Sequence, residues 1–148
     1  MGLKGQLRIK QTRDGKVIRD EVIKNVITNT GMAEVAGLIN EDTSGGFKWL
    51  AIGIGVTGAQ ATDTTLVSEI ASGGGSRAAA TCTRVQTSVA NDTAQMVKEW
   101  TFSATFAVTE SGIFDAASDG VMLARQTFAA WNVVSGDKLE LTWKVQVS

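Results

Sequence analysis

A glycine-rich stretch near the middle of the chain matches a motif that cradles phosphates. Residues 53–58, GIGVTG, have the GxGxxG spacing and follow an apolar run that suits a strand. A dinucleotide fold also needs a helix that opens at the third glycine and an acidic residue about 20 positions later. Here AQATDTT follows the third glycine, and the region about 20 residues on is rich in glycine and serine. We therefore expect no cofactor at this motif.

Acidic side chains are the second group that suggests chemistry. Glu110 and Asp115 flank a short apolar element, as the two carboxylates of a glycosidase flank their substrate. Asp115, Asp119 and nearby carbonyl groups are also oxygen ligands of the kind that calcium takes. However, their spacing matches no dedicated calcium loop, and carboxylates beside a turn most often cap it. We expect neither a catalytic pair nor a metal site.

The absence of histidine excludes several classes of enzyme. Histidine is the commonest general base near neutral pH and the commonest metal ligand, so Ser-His-Asp, Cys-His and histidine–zinc sites are ruled out. The single cysteine, Cys82, cannot form an intrachain disulfide and has no histidine to activate it. We therefore predict a non-enzymatic protein made in a reducing cytoplasm.

Local signals predict a hairpin and then a helix in the first part of the chain. Residues 5–12 and 17–27 are β-rich and are separated by Asp14-Gly15, which is typical of a hairpin. The side chains of residues 28–30 can cap a short amphipathic helix that ends near Asn40. A buried strand is expected over residues 47–55.

The second half of the chain is predicted to be strand after strand. A single helical turn, capped by Thr62 or Asp63, is expected before the triple glycine at 73–75. We then expect a central hairpin, followed by two further strands. Trp100 in the hairpin and Trp143 in the last strand are expected in the core. These predicted strands cover residues 77–89, 95–108, 121–128 and 138–148, with turns at 90–93 and 118–120.

The fold class that follows is mainly β, an antiparallel β-sandwich or barrel with an N-terminal hairpin and one short α-helix. The length of 148 residues suits a single core. We divide the chain into an N-terminal basic hairpin or arm, residues 1–27, and a compact β-rich body, residues 28–148. No apolar window approaches the roughly 20 residues of a membrane span, so no contact with a membrane is expected.

Charge is unevenly distributed between these two parts. Residues 1–25 carry seven basic and three acidic side chains, a net +4, whereas the rest of the chain carries a net −5. Such asymmetry can indicate nucleic-acid binding. Because the charges alternate with apolar residues as on a hairpin face, we favour a solvated or protein-docking surface and expect no direct contact with nucleic acid.

Two segments resemble small structural proteins of tailed-bacteriophage virions. Residues 107–128, AVTESGIFDAASDGVMLARQTF, contain a Glu-Ser-Gly-Ile-Phe element before a turn and a Leu-Ala-Arg strand. Residues 50–70, LAIGIGVTGAQATDTTLVSEI, extend the resemblance, which covers roughly residues 26–147. The resemblance implies a head decoration or cement protein, made in the bacterial cytoplasm and seated on the capsid surface of the virion.

The resemblance also implies a partner and an assembly. The partner would be the major capsid protein, and the chain would form a homotrimer that clamps neighbouring capsid subunits. A phage tail or fibre-attachment protein is the alternative from the same class. A more remote alternative is a carbohydrate-binding β-sandwich module, with Trp49 and Trp131 as its exposed platform.

The predicted partner surface lies on the N-terminal hairpin and includes two tryptophans, Trp49 and Trp131, for which a position in the core is the slightly favoured alternative. Opposite charge steers encounter with an acidic neighbour, and a strand edge adds affinity by backbone pairing. The residues of this surface are Leu3, Lys4, Leu7, Arg8, Ile9, Lys10, Arg13, Trp49 and Trp131. Separately, residues 110–114 are expected to form a structural corner, with Gly112 in a conformation open chiefly to glycine and Phe114 in the core.

Overall fold

Ten strands and one helix make up the computed structural model, which describes residues 2–148. The helix is α1 (Asn29–Ile39). The strands are β1 (Leu3–Arg13), β2 (Lys16–Lys24), β3 (Val26–Ile27), β4 (Trp49–Gly53), β5 (Ala78–Ala79), β6 (Thr81–Val85), β7 (Thr93–Thr101), β8 (Phe106–Phe114), β9 (Met122–Val133) and β10 (Lys138–Val147).

The strands form two antiparallel sheets of five strands each. The first sheet has the order β2-β1-β10-β7-β6, and the second has the order β3-β9-β8-β4-β5. Side chains from both sheets share one apolar core. The mainly β class and the sandwich are therefore confirmed.

Strand β10 shows how the sequence builds this core. Its alternate residues Leu139, Leu141 and Trp143 are fully buried, and the residues between them face outward. The Trp143 indole Nε1 donates a hydrogen bond of 3.1 Å to Ser111 Oγ on β8, so the two sheets are joined by a polar contact inside the core. Trp100 is also buried, as predicted.

The N-terminal hairpin is confirmed, but it is part of the sandwich. Strand β1 pairs with β10 in an unbroken register from Leu3–Val147 to Thr12–Lys138. Its inward residues Leu7 and Ile9 lie in the core. The residues expected to form an arm thus provide an inner strand of the first sheet. Beside Leu3, Gly2 and Ser148 exchange backbone hydrogen bonds.

Helix α1 begins and ends where its sequence signals predict. The Gly31 backbone N–H donates to the Thr28 side chain at 2.9 Å, which caps the first turn. A side chain at Gly31 would meet the backbone of Leu123 at 2.7 Å. Glycine at this position therefore allows the helix to lie directly on β9. None of the described residues belongs to a helix long and apolar enough to cross a membrane.

The predicted central hairpin is confirmed only in part: β6 and β7 pair antiparallel across the turn between them, but the chain changes sheets inside both of the predicted strands. The first predicted strand divides at Ala80, whose N–H donates to Lys48 O: β5 pairs with β4 in the second sheet, and β6 pairs with β7 in the first. The second predicted strand divides between β7 and β8. Strand β6 is consequently an edge strand. The helical turn expected after Thr62 is wrong, since this stretch forms a loop.

Residues 110–114 do not form the predicted corner. The segment lies inside β8 and pairs with β4 on one side and β9 on the other. Gly112 does not have a positive φ. Its role is close packing, because a Cβ atom there would lie 3.2 Å from Ala124 O. Phe114 is 1% exposed, as predicted, with the Arg77 guanidinium 3.7 Å above its ring.

Replacing Phe114 by alanine should leave a cavity between Trp49 and the loop that follows β4. We expect Phe114→Ala to lower the free energy of unfolding by about 3–5 kcal/mol, measured by urea denaturation. The control is Val134→Ala at an exposed position, which should change the free energy by less than about 0.5 kcal/mol. A Phe114→Ala protein as stable as the control would contradict the core position.

Candidate functional site

Glu110 and Arg125 form a buried ion pair with many hydrogen bonds, and the sequence did not single out these two residues together. Glu110 on β8 is 0% exposed and Arg125 on β9 is 1% exposed. Their side chains form an ion pair of 2.8 Å, and Arg125 also contacts the Asp63 carboxylate at 2.8 Å. Buried charges are tolerated when they are paired and hydrogen-bonded in this way.

Glu110 also holds the loop that contains the GxGxxG motif. Its carboxylate accepts hydrogen bonds from the backbone N–H groups of Gly55, Val67 and Ser68 at 2.7–3.0 Å. A side chain at Gly53 or Gly55 would collide with the Glu110 carboxylate. The glycines therefore allow the loop to close over Glu110, which gives this motif a structural role.

Glu110 and Asp115, the two carboxylates considered as a catalytic pair, have separate hydrogen-bond partners. Glu110 is saturated by Arg125 and the loop, whereas Asp115 Oδ1 accepts a hydrogen bond of 2.6 Å from Val121 N–H and caps the turn before β9. Among residues 2–148, no group of three or more cysteine, aspartate and glutamate side chains is placed to hold a metal ion.

Four of the seven basic residues in the predicted basic hairpin are paired with carboxylates. Arg8 pairs with Asp20 and Arg19 with Glu21 inside the hairpin, while β10 and its preceding turn supply Glu140 to Lys10 and Asp137 to Arg13. Three hairpin lysines keep no carboxylate within 4.0 Å among the described residues: Lys4, Lys16 and Lys24.

Three members of the predicted partner surface lie in the core. Leu7, Ile9 and Trp131 are at most 1% exposed, so the folded chain cannot present them to a partner. Trp131 is covered by the Arg19 guanidinium at 3.9 Å. The reason is the pairing of β1 with β10, which turns the apolar side of the hairpin inward. Leu3 and Trp49 are half-buried, and only the polar side of β1 remains outside.

Two of these unpaired lysines, Lys4 and Lys24, meet Lys144 on the outer face of the first sheet. Gln6 on β1 is the register partner of Lys24 on β2 and also of Lys144 on β10. Lys4, Lys24 and Lys144 line a cleft of about 810 Å³, which we call the three-lysine cleft. Lys144 also has no carboxylate within 4.0 Å among the described residues.

Strand β2 runs beside this cleft as an open edge of the first sheet. It is nine residues long and pairs on one side only, with β1. Val17, Ile18 and Val22 are 55%, 49% and 54% exposed. By comparison, the second sheet ends in strands of two residues on both sides. Edge strands with free backbone groups are templates for pairing with another chain. The cleft and the β2 edge together form the candidate binding surface.

Replacing Arg125 should destabilise the fold by leaving Glu110 charged and unpaired in the core. We expect Arg125→Leu to lower the free energy of unfolding by about 3–5 kcal/mol. The control is Arg8→Leu, which breaks the exposed Arg8–Asp20 pair and should cost less than about 1 kcal/mol. Urea denaturation of the two variants measures the difference, and equal losses would refute the structural role of Arg125.

Asp137 gives the fold a defined sensitivity to acid. Hydrogen bonds from Arg13, and then from Val134 N–H and Gln11, hold the pKa of the Asp137 carboxyl at about 2. Because this pKa is depressed in the folded state, its stabilisation is complete above about pH 4 and is lost as the pH falls towards the folded pKa. At neutral pH, the free energy of unfolding should be larger for the wild type than for Asp137→Asn. This difference should become smaller as the pH falls from about pH 4 to about pH 2. A gap independent of pH in denaturation series would contradict this assignment.

Comparison with known proteins gives no match for this chain among family models, curated proteins or solved structures.

Proposed function

We propose that this chain is a non-enzymatic structural protein of a tailed-bacteriophage virion, docked on the capsid surface as a head decoration protein. The observation that carries this proposal is the outer face of the first sheet. There, three lysines without carboxylate partners among the described residues lie beside the free edge of the nine-residue strand β2, which has exposed apolar side chains. Such a face is suited to binding an acidic protein surface.

The buried charges support binding rather than catalysis. Arg125 donates hydrogen bonds to Glu110 and Asp63, and Glu110 accepts hydrogen bonds from the backbone of the loop. The hydrogen-bonding groups of these side chains are therefore used within the fold. Asp115 is occupied by its turn. A protein that works by binding alone needs a rigid framework more than it needs a free acid or base.

The two segments that carry the resemblance to phage structural proteins lie on the side of the second sheet. Residues 50–70 provide β4 and the loop over Glu110, and residues 107–128 provide most of β8 and the first half of β9. These strands are neighbours, since β8 pairs with both β4 and β9. The two segments therefore belong to the framework of the second sheet, whereas the candidate binding surface lies on the first sheet.

The proposed partner is the major capsid protein, bound through an acidic part of its surface. Several copies of the chain, expected as a trimer, would engage several capsid subunits at once, so modest individual contacts would add up to firm attachment. A tail or fibre-attachment protein is the second candidate, because the same binding surface would suit it. The carbohydrate-binding module loses its basis, since Trp131 is buried and cannot form a platform with Trp49.

Tailed particles purified from a lytic culture of the source strain test this proposal. The chain should remain on washed particles, and cryo-EM should place β-sandwich density on the shell. Its occupancy should fall with rising salt, because exposed charges are screened beyond about 8 Å at physiological ionic strength. Density on the tail would favour the second candidate. Absence of the chain from washed particles at low salt would refute a virion role.

A further inference from the structure

We infer that the three-lysine cleft is the binding site for a carboxylate-rich, extended segment of a protein partner. This inference names the partner chemistry of the proposed binding surface, and it rests on the proposed function only in taking a capsid subunit as the source of that segment. Three features of the cleft support it: its charge, its mixed lining and an unpaired amide.

The charge of the cleft is positive although the chain as a whole is acidic. The formal net charge is −1, and four of the seven basic residues among the first 25 are neutralised by neighbours. Lys4, Lys24 and Lys144 are left together because β2, β1 and β10 are adjacent in the sheet. Lysines without a partner on the chain can pair with carboxylates of another molecule.

The lining of the cleft combines this positive rim with apolar groups. Leu3, Ile23 and Ile27 line the inner side of the same space, where they are half-buried and pack against the core. A volume of about 810 Å³ lies in the range of ligand pockets and accommodates a short length of chain. Acidic segments with a few apolar side chains match both components of this lining.

The side chain of Asn25 provides the third feature. Its amide nitrogen and oxygen are buried and have no hydrogen-bond partner, and Asn25 lines the cleft. Gly5 makes room for this amide, since any side chain at position 5 would collide with it. Buried polar atoms without partners are rare because leaving them unbonded costs free energy. A movement of the Asn25 side chain towards the cleft would let its free N–H donate to a carboxylate or backbone carbonyl there.

The same lining argues against nucleic acid as the occupant. Single-stranded nucleic acid is usually bound by aromatic side chains that stack on the bases, together with a basic groove. The described residues that line the cleft include no aromatic ring and no arginine. Lysine, amide and aliphatic groups instead favour a peptide.

The probe for the test is a capped hexaglutamate peptide, titrated into the ¹⁵N-labelled full chain and followed by NMR. The backbone signals of Gln6 and Lys24 and the side-chain amide signal of Asn25 should shift. Affinity should drop when ionic strength rises from about 0.01 M to about 0.15 M, as the Debye length shortens from about 30 Å to about 8 Å.

A pair of charge-matched variants separates this site from general attraction. Lys4→Gln/Lys24→Gln/Lys144→Gln should weaken hexaglutamate binding about tenfold or more, which corresponds to about 1.4 kcal/mol. The control, Lys16→Gln/Lys48→Gln/Arg84→Gln, removes three exposed basic residues outside the cleft and should bind like wild type. Unchanged dispersion of the amide signals establishes that both variants are folded.

Four outcomes would overturn the inference. They are the absence of hexaglutamate binding at low salt, equal loss of affinity in both variants, tighter binding of oligothymidine than of hexaglutamate, and full occupancy of the cleft variant on particles. The test is independent of the proposed function in one direction. If hexaglutamate binds in the cleft while purified particles lack the chain, the site stands with a different protein partner and the virion role fails.

Discussion

The buried contact between Glu110 and Arg125 is the constraint on which the arrangement of the second sheet depends. Two charges at almost zero exposure are stable only when every polar atom has a partner. Arg125 donates hydrogen bonds to the Glu110 carboxylate, and the loop that follows β4 supplies the remaining hydrogen-bond donors. The loop must therefore close over β8, and glycine at positions 53 and 55 is what permits that approach. A pattern that resembles a cofactor motif is thereby explained by the electrostatics of one carboxylate.

The first sheet depends on a different constraint, the long pairing of β1 with β10. It joins the first and last strands of the sandwich and places the apolar side of the hairpin in the core. It also brings Asp137 and Glu140 to the hairpin arginine and lysine that they neutralise. The positive charge of the N-terminal residues is thus not spread along an arm. Of the unpaired lysines of the hairpin, Lys4 and Lys24 meet Lys144 in the three-lysine cleft.

Features with local signals could be predicted from the sequence, and those with distant causes could not. The Asp14-Gly15 hairpin, the Thr28 cap and the alternation of β10 are each determined by residues close in sequence, and all three are confirmed. The sheet change at Ala80 depends on a hydrogen bond to Lys48, 32 positions away, and nothing in the run RAAATCTRV marks it. The partnership of Glu110 and Arg125 had one available signal, a lone acid and a lone base in neighbouring apolar strands. Only the register of β8 and β9 shows that they meet.

The unequal edges of the two sheets limit how copies of this protein can add to one another. The second sheet offers only two-residue edges, so growth by strand addition is confined to β2 and β6 of the first sheet. Pairing of β2 with a second β2 would be isologous and would close after one step. Pairing of β2 with β6 would be heterologous, and each added copy would present a fresh β2, so the contact would either close into a ring or repeat into an open fibre, depending on the rotation between copies. The bulge opposite Gln11 and the charged residues Arg19, Asp20 and Glu21 in β2 disfavour such repetition, because they interrupt a flat, apolar edge.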